Sequence, residues 1–224
     1  MNIWDWLAQT ATVLPQLQMQ QVFHTASWLA VLSWLSVKFI PLYDKQWRWL
    51  VSSLFWFLVL LCWSTPLSSL GLAFQSPSLM SLCLCVAAAW EDLRGPSRRL
   101  FYSTLAVQAS GWMWLLPITV GWMLLMDTFG FLPWDIYSIG FEPALVWLAW
   151  VLMGLWMASS YLLTLAEWHR KVATCVLVAT GLFVYTHAPS GNAWDAWLDP
   201  GLWLFAHIRW LQSVWFQRTR INHS

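Results

Sequence analysis

The chain is 224 residues long, 59% hydrophobic and 9% charged, with 22 tryptophans and a formal net charge of +1. A soluble domain of this size carries about 25% charged residues, so these few cannot cover a water-facing globule. The balance excludes disorder, a coiled coil, a disulfide-rich secreted module and a nucleic-acid binder with a basic face.

A bilayer core of about 30 Å needs roughly 20 mostly apolar residues per helix. By that measure the chain offers seven apolar stretches: Val22 to Ile40, Trp49 to Ser64, Leu79 to Trp90, Leu100 to Met126, Pro143 to Ala166, Val172 to Tyr185 and Leu198 to Phe216. The third is short and borrows from Leu67 to Ser78, where Pro66, Gly71 and Pro77 oppose regular helix. The fourth contains Pro117 and is expected to kink there. Residues 1–21 read as an external interfacial segment, 22–217 as the helical domain and 218–224 as a short basic tail. Nothing basic precedes the first stretch, so no cleavable signal peptide is expected.

The charges sort with this division. All 11 basic residues fall in or beside the first, third and fifth connections, or in the last stretch and tail. Loops rich in Lys and Arg stay cytoplasmic. One side then holds every basic residue with Asp44, Glu91, Asp92 and Glu167; the other holds Asp5, Asp127, Asp135, Glu142, Asp195 and Asp199, a split of +7 against −6. The expected fold class is an all-α integral membrane protein, a seven-transmembrane-helix bundle with its N-terminus outside and its C-terminus cytoplasmic. The expected location is the cell inner membrane, and the expected partners are the lipid bilayer and other membrane subunits, with no nucleic acid. Gly154 with Ala158, and Ala106 with Ser110, are small pairs spaced by four that would place their two helices at the bundle centre.

Few residues could carry chemistry. Cys62, Cys83, Cys85 and Cys175 lie in apolar stretches without C-x-x-C spacing and read as inert packing groups. Arg209 falls near the middle of the last stretch, with Gln212 and Ser213 at i+3 and i+4, so the three form one polar stripe. An ionisable group at that depth is a functional candidate, or it snorkels to the headgroups. His24, His187 and His207 are candidate axial ligands of a b-type haem, which needs two histidines on facing helices. They have no flanking pattern of a haem helix, and no cofactor or metal is assigned.

Asp127, Asp135, Glu142, Asp195 and Asp199 form an outer acidic rim, sharing their loops with Trp122, Trp134, Trp194 and Trp197. Carboxylates beside aromatic faces suit a cation, an amine or a basic partner surface. Translocated loops also exclude Lys and Arg, and aromatic belts form at interfaces, so the same residues follow from topology alone.

Two seven-helix comparisons stop at layout. Retinal-binding rhodopsins use a lysine in the last helix, whereas the only lysines here are Lys38, Lys45 and Lys171. The layout is similar to that of rhomboid peptidases, on Ala206-His207-Ile208 and Ala89 to Gly95, but Glu142 stands where G-x-S needs serine. No G-x-x-x-x-G-K, H-E-x-x-H or G-x-G-x-x-G pattern is present. The expected function is a non-catalytic accessory, assembly or anchoring component of an envelope complex. The alternatives are a small permease or lipid-handling protein using the Arg209 stripe, and a haem-binding or degenerate rhomboid-like protein.

Overall fold

The computed structural model describes residues 14–37, 39–40, 44–62, 76–93, 112–162 and 167–221. Within them are nine helices and no strand: α1 Leu17–Ser36, α2 Lys45–Cys62, α3 Leu79–Leu93, α4 Trp112–Thr128, α5 Ile136–Ile139, α6 Pro143–Leu162, α7 Glu167–Thr186, α8 Ala193–Trp197 and α9 Pro200–Ile221. The expectation of an all-helical chain is met.

Local chemistry sets the helix ends. Asp44 accepts from the Gln46 amide at 2.8 Å and starts α2. Ser78 accepts from the Ser81 amide at 3.1 Å and starts α3. Pro143 and Pro200 open α6 and α9, where a missing N–H costs nothing. At the end of α4, Gly130 takes a φ of +70°. Bonds from the Phe131 amide to Met126 and from Gly130 to Asp127 then close a Schellman motif. The end of α7 uses a histidine instead: His187 sits at φ +54° and its amide reaches the Phe183 carbonyl at 2.6 Å.

In the packed molecule α7 lies between α6 and α3, and α3 continues to α1 and α2. A separate pair, α4 with α9, joins them through Trp34, Ala88, Trp114 and Phe205. The main core gathers Phe23, Leu79, Val146, Ala179, Phe183 and Ala196. At the far ends of α3 and α7, Glu91 pairs with Lys171. Between α1 and α2, Ser36 and Ser52 share a hydrogen bond of 2.5 Å, and Trp56 donates to Ser36 at 2.9 Å.

Two expectations are corrected here. First, among the described residues no helix is long and apolar enough to cross a membrane, which overturns the seven-transmembrane-helix bundle and the integral-membrane character drawn from it. The helices are short, hold a proline, or spend part of their length on polar residues. α3 has 15 residues, about 22 Å against the roughly 30 Å of a bilayer core. α4 has 17 and holds Pro117. α2 opens on Lys45, Gln46 and Arg48, and α7 on Glu167, His169, Arg170 and Lys171. α9 carries Arg209 midway and Arg218 and Arg220 near its end. α6 is apolar from Pro143 to Ala158 and then reads Ser159, Ser160 and Tyr161, its described side chains ending at Ser159.

Second, Gly154 and Ala158 are exposed, and a Cβ at Gly154 would meet nothing within 4 Å. The centre instead belongs to α3 and α7, where Ala88, Ala173 and Ala179 are fully covered. The pair Ala106 and Ser110, residues 1–13 of the N-terminal segment, residues 222–224 of the tail and the Cys62 side chain lie outside the described residues. Leu17 to Gln21 belong to α1, and 218–221 to α9.

Candidate functional site

The most elaborate polar construction sits where the segment 187–199 folds over the α4–α5 turn. Asn192 is fully buried and caps α8, accepting from the Trp194 amide at 2.9 Å. Its Nδ2 donates to the Tyr137 carbonyl at 2.9 Å. The Trp194 indole donates to the Ile136 carbonyl at 3.0 Å, and the Ala193 amide to Gly140 at 2.8 Å. Gly140 permits this approach, because a Cβ there would overlap Asn192 Oδ1 and the Trp194 ring. Three polar contacts therefore lock α8 onto α5.

That clasp positions three carboxylates. Asp127 ends α4 and accepts from the Tyr137 amide at 2.7 Å. Asp135 caps α5, accepting from the Ser138 amide at 3.0 Å. Asp195 on α8 is buried, and its Oδ2 accepts from Tyr137 Oη at 2.8 Å and from Ser190 Oγ at 2.5 Å. Burial, and then the Asp195 carboxylate, push the Tyr137 phenol well above its usual range, so it stays a donor. Asp127, Asp135 and Asp195 line one groove of about 760 Å³, with Leu132, Pro133, Trp134 and Tyr137 as its apolar wall.

The other two acids of the expected rim stand apart. Glu142 is exposed and precedes the first residue of α6. Asp199 is buried and holds two helix starts together: Oδ2 accepts from the Ser78 amide at 2.8 Å, Ser78 Oγ at 2.6 Å and Ser81 Oγ at 2.5 Å, while Oδ1 accepts from the Leu202 amide at 2.8 Å. Each acceptor satisfies a donor that the first turn of α3 or α9 would leave open.

The remaining candidates are dispersed. Arg209 donates to Gln212 at 3.0 Å and lies 5.9 Å from the Phe205 ring centre, while Ser213 donates back to the Trp210 carbonyl at 2.7 Å. Gln212 is exposed, so the stripe opens outward at that residue. His207 bonds the Trp203 carbonyl through Nδ1 at 2.9 Å and accepts from the Trp122 indole at 3.3 Å, so both ring nitrogens tie α9 to itself and to α4. His24 stands edge-on to Trp28 on α1. His187 is buried against Phe183, and desolvation lowers its pKa. Among the described residues no group of three His, Cys, Asp or Glu could hold a metal ion.

Tyr137, Ser190, Asn192 and Gly140 were not singled out by sequence. Asp135-x-x-Ser138 and Ser78-x-x-Ser81 are readable as capping signals; the Tyr137–Asp195 bond has no local signature. No protein-family model, curated protein or solved structure matches the chain.

Proposed function

We propose that the chain is a non-catalytic accessory or anchoring component of an envelope assembly, located at the inner membrane. No crossing helix is part of the proposal; lipid or partner helices would cover its open faces. The observation that supports it is the breadth of exposed apolar surface. On α6, Leu148, Val151, Leu152 and Leu155 form one open stripe at helical spacing. On α2, Leu50, Val51, Leu54 and Leu58 form another. Contiguous patches of more than a few hundred Å² are uncommon on solitary soluble proteins and mark interaction surfaces. The stripe around Arg209 lends less to a permease, since Gln212, its bonded partner, faces outward.

The test is the size of the native particle carrying the chain, before and after Leu148→Asn with Leu152→Asn. The proposal expects a particle larger than the monomer that releases the doubly substituted chain with its helicity unchanged by circular dichroism. A wild-type chain that stays monomeric and is stabilised by a small-molecule substrate would overturn it.

A further inference from the structure

We infer that one end of the helix bundle, made by the starts of α2 and α7 and the ends of α1, α3 and α9, seats on an anionic lipid surface through its phosphate headgroups. The inference rests on the membrane location proposed above and names the surface and the lipid. Internal contacts gather these ends. Ser36, the last residue of α1, bonds Ser52 of α2, so the start of α2 lies beyond it. Trp34 of α1 packs against Ala88 of α3, and Glu91 of α3 pairs with Lys171 of α7. α9 starts beside Ser78 at the opposite end, passes Trp34 at Phe205 and runs on to Ile221.

Charge is divided along this axis. Lys45 and Arg48 open α2, Arg170 and Lys171 open α7, and Arg218 and Arg220 close α9. The acids beside them are Asp44, Glu91, Asp92 and Glu167, of which Asp44 caps α2 and Glu91 holds Lys171. The opposite end carries Asp127, Asp135, Glu142, Asp195 and Asp199, and no lysine or arginine occurs from Leu100 to His169 or from Val172 to Ile208. A lengthwise split of this kind turns the basic end toward a negative leaflet, where each Lys or Arg adds attraction. The start of α2 also holds unmet donors: among the described residues, Arg48 Nε and the Trp49 indole N–H are buried without an acceptor. An unmet donor costs free energy, and phosphate oxygens are the acceptors that a lipid surface brings there.

The apolar residues among these charges favour lipid over an acidic protein. Phe39 after α1, Trp47 and Leu50 on α2 and Trp90 on α3 are all exposed at this end. Tryptophan rings settle at the boundary between headgroups and hydrocarbon. Lys or Arg beside Trp, Phe and Leu is the composition of segments that lie in that boundary. Here the aromatic rings come from three helix ends rather than from one helix face. A bilayer surface meets all of them together, whereas a docked helix would cover one.

The experiment is flotation of the full chain with vesicles of phosphatidylcholine alone, and with vesicles holding an equal part of phosphatidylglycerol, at low and high salt. The inference expects stronger partition onto the anionic vesicles, a preference that high salt removes. Arg48→Gln and Arg170→Gln should each weaken that partition about fivefold, one basic residue's share at a membrane surface, and leave the neutral vesicles unaffected. Glu142→Gln makes the same size of charge change at the opposite end and should alter nothing. If either arginine variant fails to fold, the wild-type comparison of the two vesicles across salt still decides. Equal flotation with both vesicles, unchanged partition in a folded chain carrying both arginine substitutions, or an effect of Glu142→Gln as large as theirs would each overturn the inference. Displacement from anionic vesicles by polyglutamate but not by added phosphatidylglycerol vesicles would assign this end to an acidic protein and overturn it too. A chain that floats equally with both vesicles keeps its membrane location and loses only the anionic seat; one that floats with neither and stays monomeric loses both.

Discussion

The phenol of Tyr137 donates to the carboxylate of Asp195 across 2.8 Å, joining α5 to α8 over 58 positions of sequence. Tyr137 also gives its amide to Asp127 and its carbonyl to Asn192, so one residue meets α4, α5 and the α8 segment. Removing the hydroxyl leaves Ser190 as the only donor to Asp195 among the described residues. Tyr137→Phe should cost about 1.5–3 kcal/mol, the range for a hydrogen bond to a charged group, measured as a shift in the urea midpoint.

The same bond gives a pH limb. The folded pKa of Tyr137 is raised above its unfolded value of about 10. Its contribution is therefore complete below that value and is lost as pH climbs through the folded pKa. Thermal stability should fall above about pH 10, and Tyr137→Phe should flatten that fall.

His187 supplies the opposite limb. Burial lowers its folded pKa below the unfolded 6.5, so the folded chain binds fewer protons in acid. Its contribution is intact above pH 6.5 and shrinks as pH drops below it. His187→Asn should flatten the acid limb while tolerating the φ of +54°. His187→Val should cost a further ~1–2 kcal/mol, because a branched side chain resists a left-handed backbone. Melting curves from pH 5 to 8 separate the two.

Asp199 accepts four hydrogen bonds from a buried position. Asp199→Ala strands the Ser78 and Ser81 hydroxyls and uncaps α9, and should cost at least about 3 kcal/mol in chemical denaturation. Ser81→Ala should cost less alone and almost nothing on top of Asp199→Ala, the non-additivity expected of shared partners.

Glycine substitutions read the packing directly. A Cβ at Gly121 would overlap the Trp203 ring, which donates to the Ile118 carbonyl at 3.2 Å. Gly121→Ala should destabilise the chain and loosen α4 from α9, seen as faster amide exchange in both helices. Gly154 faces open space, so Gly154→Ala should gain about 0.8–1 kcal/mol of helix propensity.

What was legible in the sequence was mostly local. The start of α6 at Pro143 coincides with expectation, because Pro143 acts within one turn, whereas α3 opens only at Leu79, after the Ser78 cap, and borrows nothing from residues 76–78. Arg209 bonds Gln212 as i, i+3 spacing foresees. The outer acids were recognised as a set, but their division was not: three share a groove, Glu142 is exposed and Asp199 is sealed against Ser78. Counting apolar residues also misplaced helix ends: α2 and α7 begin before their apolar stretches, at Lys45 and Glu167, while α9 begins only at Pro200, after the Asp199 cap.

By itself, then, the sequence determined the helical class, the partition of charge along the chain and the polar neighbours within a turn. These depend on composition and on the 3.6-residue period, which any helix obeys wherever it packs. Only the tertiary structure decided where each helix stops, that α3 and α7 rather than Gly154 and Ala158 occupy the centre, and that Tyr137 would find Asp195. Those outcomes turn on which helix lies beside which. A contact across 58 or 121 positions has no local period to announce it, and a chain with 9% charge carries too few distinctive side chains to select its neighbours in advance.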